Sequence, residues 1–277
     1  MAKGRDAKAA IKRAIKCSAV VVGSAIPLPR GQSRILTYHS VGHRDHEMNV
    51  TRESFREQMA WLAEHSTIVP VSDAAAGAPG VAVTFDDGYQ DTLTNAAPIL
   101  AEFGIPATVY VVVGHVGGFL DHDHDPATSR LLSWEEIRAL DSGGIVIGAH
   151  TLTHRRLSTL DADAQREEIV GSVQALAAQL GHPIESFAYP FGAASDYDAL
   201  SVQLSRESGV RFAVSNRYGT NRPEADPWTL RRIWIDATDD IVMFRAKVDG
   251  SLDILALLDS PPGIRARRML NRLLRTV

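Results

Sequence analysis

The sequence predicts an α/β protein, a distorted (β/α) barrel of about seven strands in a single domain. Between Arg34 and about Val248, short apolar runs alternate with amphipathic segments of helical period, the pattern of parallel strands joined by helices. No internal repeat or low-complexity linker divides that stretch. Polar residues suited to chemistry follow directly after several of the apolar runs, at the rim where parallel barrels place their sites. A chain of 277 residues can bury roughly 75% of its unfolded surface, enough for one large domain.

Residues 1–30 read as a basic N-terminal segment, 31–250 as the α/β domain and 251–277 as a basic C-terminal helix. In the first, Ile11, Ile15, Ser18 and Val22 recur at helical spacing while Lys8, Lys12, Arg13 and Lys16 take other faces. The same stretch also reads as a signal peptide cut after Ala25. The expected strands are Ile35–His39, Val81–Phe85, Thr108–Val113, Ile145–Ala149, Ser186–Tyr189, Arg211–Val214 and Leu230–Ile235. The expected helices are Arg52–Glu64, Asp91–Phe103, Trp134–Asp141, Ala162–Leu180 and Tyr197–Ser208. At the C-terminus Met269, Leu270, Leu273, Leu274 and Val277 form one stripe and Arg265, Arg268, Arg272 and Arg275 another, which suits a helix lying on an anionic membrane or closing onto the acidic body.

Composition narrows the chemistry. With 45% hydrophobic and 22% charged residues the chain is neither disordered nor collagen-like. Its one cysteine, Cys17, excludes an internal disulfide and a cysteine-based zinc cluster, so any metal must be held by histidines and carboxylates. The net charge of −4 is uneven: each basic end carries +5, which leaves the body between 17 and 263 at −14. Such a body is no nucleic-acid partner. The longest apolar stretch, Cys17–Leu28, is broken by Gly23 and Pro27 and is too short to span a bilayer. These features place the protein in the cytoplasm or peripherally on the cytoplasmic membrane, with secretion as the alternative that goes with the signal-peptide reading.

Four strand ends carry candidate site residues. Val81–Phe85 runs into Asp86-Asp87-Gly88, Ile145–Ala149 into His150-Thr-Leu-Thr-His154, the first strand into His39, and Ser186–Tyr189 into Pro190-Phe191-Gly192. Two imidazoles and one carboxylate would supply an open tetrahedral zinc site. Adjacent aspartates repel when both are charged, so a cation on one leaves the other free as a base. Taken singly, D-D-G also makes a helix-capping turn, and the two histidines also serve as rim residues bonded to backbone.

Together the segments resemble the polysaccharide deacetylases of carbohydrate esterase family 4. Thr84-Phe85-Asp86-Asp87-Gly88 matches the family's T-F-D-D-G motif, His150-Thr151-Leu152-Thr153-His154 matches H-[ST]-x-x-H, and Tyr189-Pro190-Phe191-Gly192 resembles the Y-P-Y-G form found in the subgroup acting on exopolysaccharides. The likeness runs from about Ile35 to Ile235. It implies that Asp87, His150 and His154 bind zinc or another divalent ion, and that Asp86 is the base taking a proton from the water which the ion activates. It implies further that the backbone N–H of Phe191 receives the oxyanion. Tyr189 and Trp134 are candidate sugar contacts.

Two family roles lack their usual residues: the third motif opens on Ala188 instead of an arginine that tethers the base, and no late L-x-H supplies the acid. Some similar members are circularly permuted and bring a Y-H motif from the N-terminus, which makes His39 the candidate acid. Arg232 is the candidate tether, because strand alternation turns Arg231 to the opposite face. The Asp121-His122-Asp123-His124-Asp125 loop reads as a solvated lid before it reads as a second metal site. The expected function is metal-dependent removal of N-acetyl groups from amino-sugar units of a polysaccharide or lipid-linked glycan. Its rivals are an O-acetyl esterase or other amide hydrolase on the same site, and a catalytically silent carbohydrate-binding protein.

Overall fold

Each of the seven expected strands forms. A computed structural model of the chain describes residues 31–42, 46–120, 129–253 and 256. Its strands are β1 (Ser33–Tyr38), β2 (Ser40–Val41), β3 (Asn49–Val50), β4 (Gly80–Phe85), β5 (Ala107–Val111), β6 (Val146–Ala149), β7 (Ser186–Ala188), β8 (Phe212–Tyr218) and β9 (Leu230–Trp234). The barrel runs β1-β4-β5-β6-β7-β8-β9, with every pairing parallel. It closes where Leu36 of β1 pairs with Ile233 of β9. The short β2 and β3 pair beside it.

Alternation along the strands separates two environments. Leu36, Tyr38, Val83, Phe85, Val109, Val111, Ile147 and Phe187 belong to the main core, together with the apolar faces of the helices. The intervening positions, Ile35, Thr37, Ala82, Thr84, Tyr110, Gly148, Ser186 and Arg232, fill the barrel interior in layers. Glycine at 148 is a packing requirement: a Cβ there would lie 2.5 Å from the Tyr110 ring. Each fully buried Leu, Ile or Phe of the outer layer contributes about 1.5–3 kcal/mol, while the interior combines the apolar Ile35, Ala82 and Tyr110 with the polar Thr37, Thr84, Ser186 and Arg232.

The helices are α1 (Arg52–His65), α2 (Val71–Ala75), α3 (Ala97–Phe103), α4 (Trp134–Ser142), α5 (Ala162–Arg166), α6 (Ser172–Leu180), α7 (Ala199–Glu207) and α8 (Ile241–Val248). Thr51 caps α1 by accepting from the Ser54 backbone, and Ser133 with Glu136 forms a capping box on α4. Asp198 caps α7, so that helix begins after the expected Tyr197. Two helices expected to be continuous contain a π turn, Thr92–Ala96 before α3 and Glu167–Gly171 between α5 and α6. The unforeseen α2 is too short to show a period; its Val71 and Ala74 pack with Ile35 and Ala82 near the start of the strands. The basic N-terminal segment, the loop at 121–128 and the C-terminal basic helix from 257 onward lie outside the described residues. No helix among the described residues is long and apolar enough to cross a membrane.

Candidate active site and metal centre

The deepest charged pair joins two strands far apart in sequence. The guanidinium of Arg232 on β9 forks onto Asp86 just past β4, with Nη1 donating to Oδ1 at 2.7 Å and Nη2 to Oδ2 at 2.6 Å. Both side chains are fully buried. Arg232 also donates from Nε to the Ser215 carbonyl (3.0 Å) and from Nη1 to Thr84 Oγ1 (3.2 Å), and Thr84 in turn donates to the Leu36 carbonyl (2.8 Å). Arg231 points elsewhere and donates to the Tyr218 carbonyl (3.0 Å), as alternation requires. Burial alone would push the Asp86 carboxyl upward, but the Arg232 charge, His150 and the fork hold it well below the usual carboxylate range. Desolvating such a pair costs several kcal/mol per ion, and an apolar pair is often no less stable. Its evident effect is to keep one aspartate ionised at the barrel mouth.

Asp87 turns the other way. Its Oδ1 lies 3.5 Å from His150 Nε2 and 3.3 Å from His154 Nε2. One ligand-capable atom from each residue lies within 4.8 Å of the other two. His150 Nδ1 donates to the Ala188 carbonyl at 2.7 Å, which selects the tautomer carrying its lone pair on Nε2. Burial lowers the His150 pKa and keeps the imidazole neutral, as a ligand must be. Two imidazoles and a carboxylate gathered in one corner fit a divalent ion that keeps a position open for substrate.

Backbone strain converges on the same spot. The non-glycine residues with left-handed backbone, among those described, are Asp87 (φ 70°), Thr151 (68°), His154 (57°) and Phe191 (59°). Each costs of order 1–3 kcal/mol and persists only where its surroundings impose it. In the histidine loop they do. Val113 and Gly114 donate to the carbonyls of Thr151 (3.1 Å) and Leu152 (2.8 Å), and a Cβ on Gly114 would meet the Leu152 oxygen at 2.6 Å.

His39 follows directly on β1, 5% exposed, within electrostatic reach of Asp86 and Arg232. Burial, aided by Arg232, lowers its pKa from 6.5 to about 3. The unfolded chain therefore takes up a proton near pH 6.5 that the folded chain refuses until about pH 3. The stabilisation is complete above pH 6.5 and declines as pH falls through that window, by up to about 1.4 kcal/mol per pH unit. Denaturant unfolding of metal-free protein at stepped pH checks this, and His39→Gln is expected to flatten the slope.

Phe191 is 44% exposed, with its ring 4.8 Å from that of His154 and the Arg156 guanidinium 4.9 Å from its centroid. Arg156 is held in turn by Asp196, a pair that gives no sequence signal. Tyr189 is a correction. It shares the helix-covered face with Phe187, is fully buried, stacks on Tyr197 at 4.2 Å and donates to the Trp228 carbonyl, so it offers no surface to a sugar. Trp134 opens α4 and is partly buried against the core.

The polysaccharide deacetylase family model matches residues 73–213, just over half of the chain, and takes in both aspartates, both histidines and Phe191. The chain belongs to the polysaccharide deacetylase family. A Staphylococcus aureus poly-beta-1,6-N-acetyl-D-glucosamine N-deacetylase is 24% identical over 213 residues, 70% of this chain and 71% of the relative. Bacillus subtilis YxkH is 25% identical over 208 residues, 72% of this chain and 70% of its own. In fold, the deacetylase is similar to Streptococcus pyogenes PplD, solved in complex with acetate, at a TM-score of 0.67 and 20% identity, covering 80% of this chain and 99% of that one. His39 and Arg232 lie outside the matched segment, just past β1 and on β9. Because these strands pair to close the barrel, the two residues arrive at the site from opposite ends of the domain.

Proposed function

We propose that this deacetylase hydrolyses N-acetyl groups on the amino-sugar units of an exopolysaccharide or its lipid-linked precursor, with zinc or another divalent ion held by Asp87, His150 and His154. The observation that carries the reading is the pair of adjacent aspartates in opposite settings. One faces two imidazoles; the other is locked ionised by Arg232. The relative that acts on poly-beta-1,6-N-acetyl-D-glucosamine supports the substrate class.

When bound, the ion would lower the pKa of water and polarise the acetamide carbonyl. Asp86, ionised and aimed by the arginine fork, accepts the proton of the attacking water. The Phe191 backbone N–H, carried on its left-handed turn, donates to the developing oxyanion, a role that needs no tyrosine hydroxyl. His39 is neutral in the resting site; the negative charge that builds up during attack raises its proton affinity, so it takes up the proton that Asp86 has drawn from the water and passes it to the departing amine as the C–N bond breaks. The two basic ends, +5 each, would hold the enzyme peripherally on an anionic membrane face.

The test is acetate release from N-acetylated glucosamine polymer, abolished by a chelator and restored by zinc. Chelator-resistant release, or none with metal restored, contradicts the reading. His39→Ala is expected to lower amide hydrolysis by about 10²–10⁴-fold while sparing acetate esters, whose alcohol leaves with less acid help. Equal losses on both substrates would remove His39 from the acid role.

A further inference from the structure

The histidine-bearing loop is built around a residue outside all three motifs. Glu168, 4% exposed, lies in the π turn Glu167–Gly171 that interrupts the helix following this loop. Its Oε2 accepts from the backbone N–H of both Leu152 (3.0 Å) and Thr153 (2.9 Å), and Thr153 Oγ1 donates to Oε1. One carboxylate thus gathers three donors from the short link between the two histidines. Nearby, Thr151 Oγ1 accepts from the His154 backbone at 3.0 Å. The link therefore cannot relax toward ordinary backbone angles without abandoning a buried carboxylate. Leaving such a carboxylate without its donors carries a desolvation penalty that opposes relief of the strain at Thr151 and His154.

We infer that Glu168 is the positioning residue of the metal centre: by gripping the Leu152 and Thr153 amides it holds His150 and His154 on one side of the loop, facing Asp87. Glu168 shares its buried stripe with Gln165, Ile169 and Ser172, the i, i+3, i+4, i+7 spacing that turns it inward toward the loop. Glu168 touches neither substrate nor the reacting atoms, so its effect falls on metal affinity and the folding of the loop. This inference rests on the proposed metal centre.

The test is a zinc titration of the full chain against a chromophoric chelator, with the melting of metal-free protein followed in parallel. Glu168→Ala is expected to weaken zinc binding by about 10–100-fold, the usual effect of losing an outer support of metal ligands. Glu168→Gln keeps an acceptor oxygen for the two amides and is expected to stay within about threefold of wild type. Should Glu168→Ala fail to fold, Glu168→Asp decides, because it keeps the charge and withdraws the carboxylate by one methylene; an affinity loss of about tenfold is expected. A folded Glu168→Ala, or failing that Glu168→Asp, with wild-type zinc affinity overturns the inference and leaves the metal centre intact. Failure of the wild-type chain itself to bind zinc would instead sink the proposed centre.

Discussion

Arg232→Met is expected to lower the unfolding free energy by about 3–5 kcal/mol, because it strands the fully buried Asp86 without its cation. Its effect on catalysis carries a different signature. With the fork gone, burial pushes the Asp86 pKa upward, so at a given acidic pH less of the base is ionised. The acid limb of the kcat/KM profile should therefore move to higher pH, and rates measured well above that limb should recover in part. Arg232→Lys restores charge but not the two-pronged geometry and should fall between the two. A purely structural arginine would change the amount of folded enzyme and leave the pH profile of that fraction where it was. Urea unfolding and pH-rate profiles on the same preparations separate the two cases.

The two aspartates should fail in different ways. Asp86→Asn keeps most of the shape and leaves the triad untouched, so zinc is expected to remain bound at one equivalent while acetate release falls by about 10²–10⁴-fold. Asp87→Ala removes one of the three proposed ligands, and on that reading both zinc and acetate release should be lost together. Excess zinc should rescue some activity of Asp87→Ala and none of Asp86→Asn. If the two variants behave alike, the division of labour between neighbouring carboxylates is wrong.

The barrel was legible because its strands are short, apolar and regularly separated by helical periods, and because chemistry-bearing residues end them. The same alternation that selected Arg232 over Arg231 also places Tyr189 on the covered face beside Phe187, which rules against it as a sugar contact. Glu168 was hidden for a physical reason. By residue type it reads as one of two consecutive solvated acids, Glu167 and Glu168, and its partners Leu152 and Thr153 lie 16 and 15 positions away on the preceding loop, so no local pattern marks it as buried. Nor does the sequence announce the left-handed backbone at Asp87, Thr151, His154 and Phe191, because none is glycine and surrounding contacts impose the conformation. The Arg156–Asp196 pair beside Phe191 likewise joins residues 40 positions apart and has no local pattern to betray it.

Crystals of the full chain grown with zinc, measured on both sides of the zinc absorption edge, give the most direct test of the metal centre. The expected result is one anomalous peak about 2.0–2.2 Å from an Asp87 carboxylate oxygen and from the Nε2 atoms of His150 and His154, with Asp86 still forked to Arg232. A peak coordinated by Asp86, or the absence of a peak with the three side chains turned apart, would contradict it.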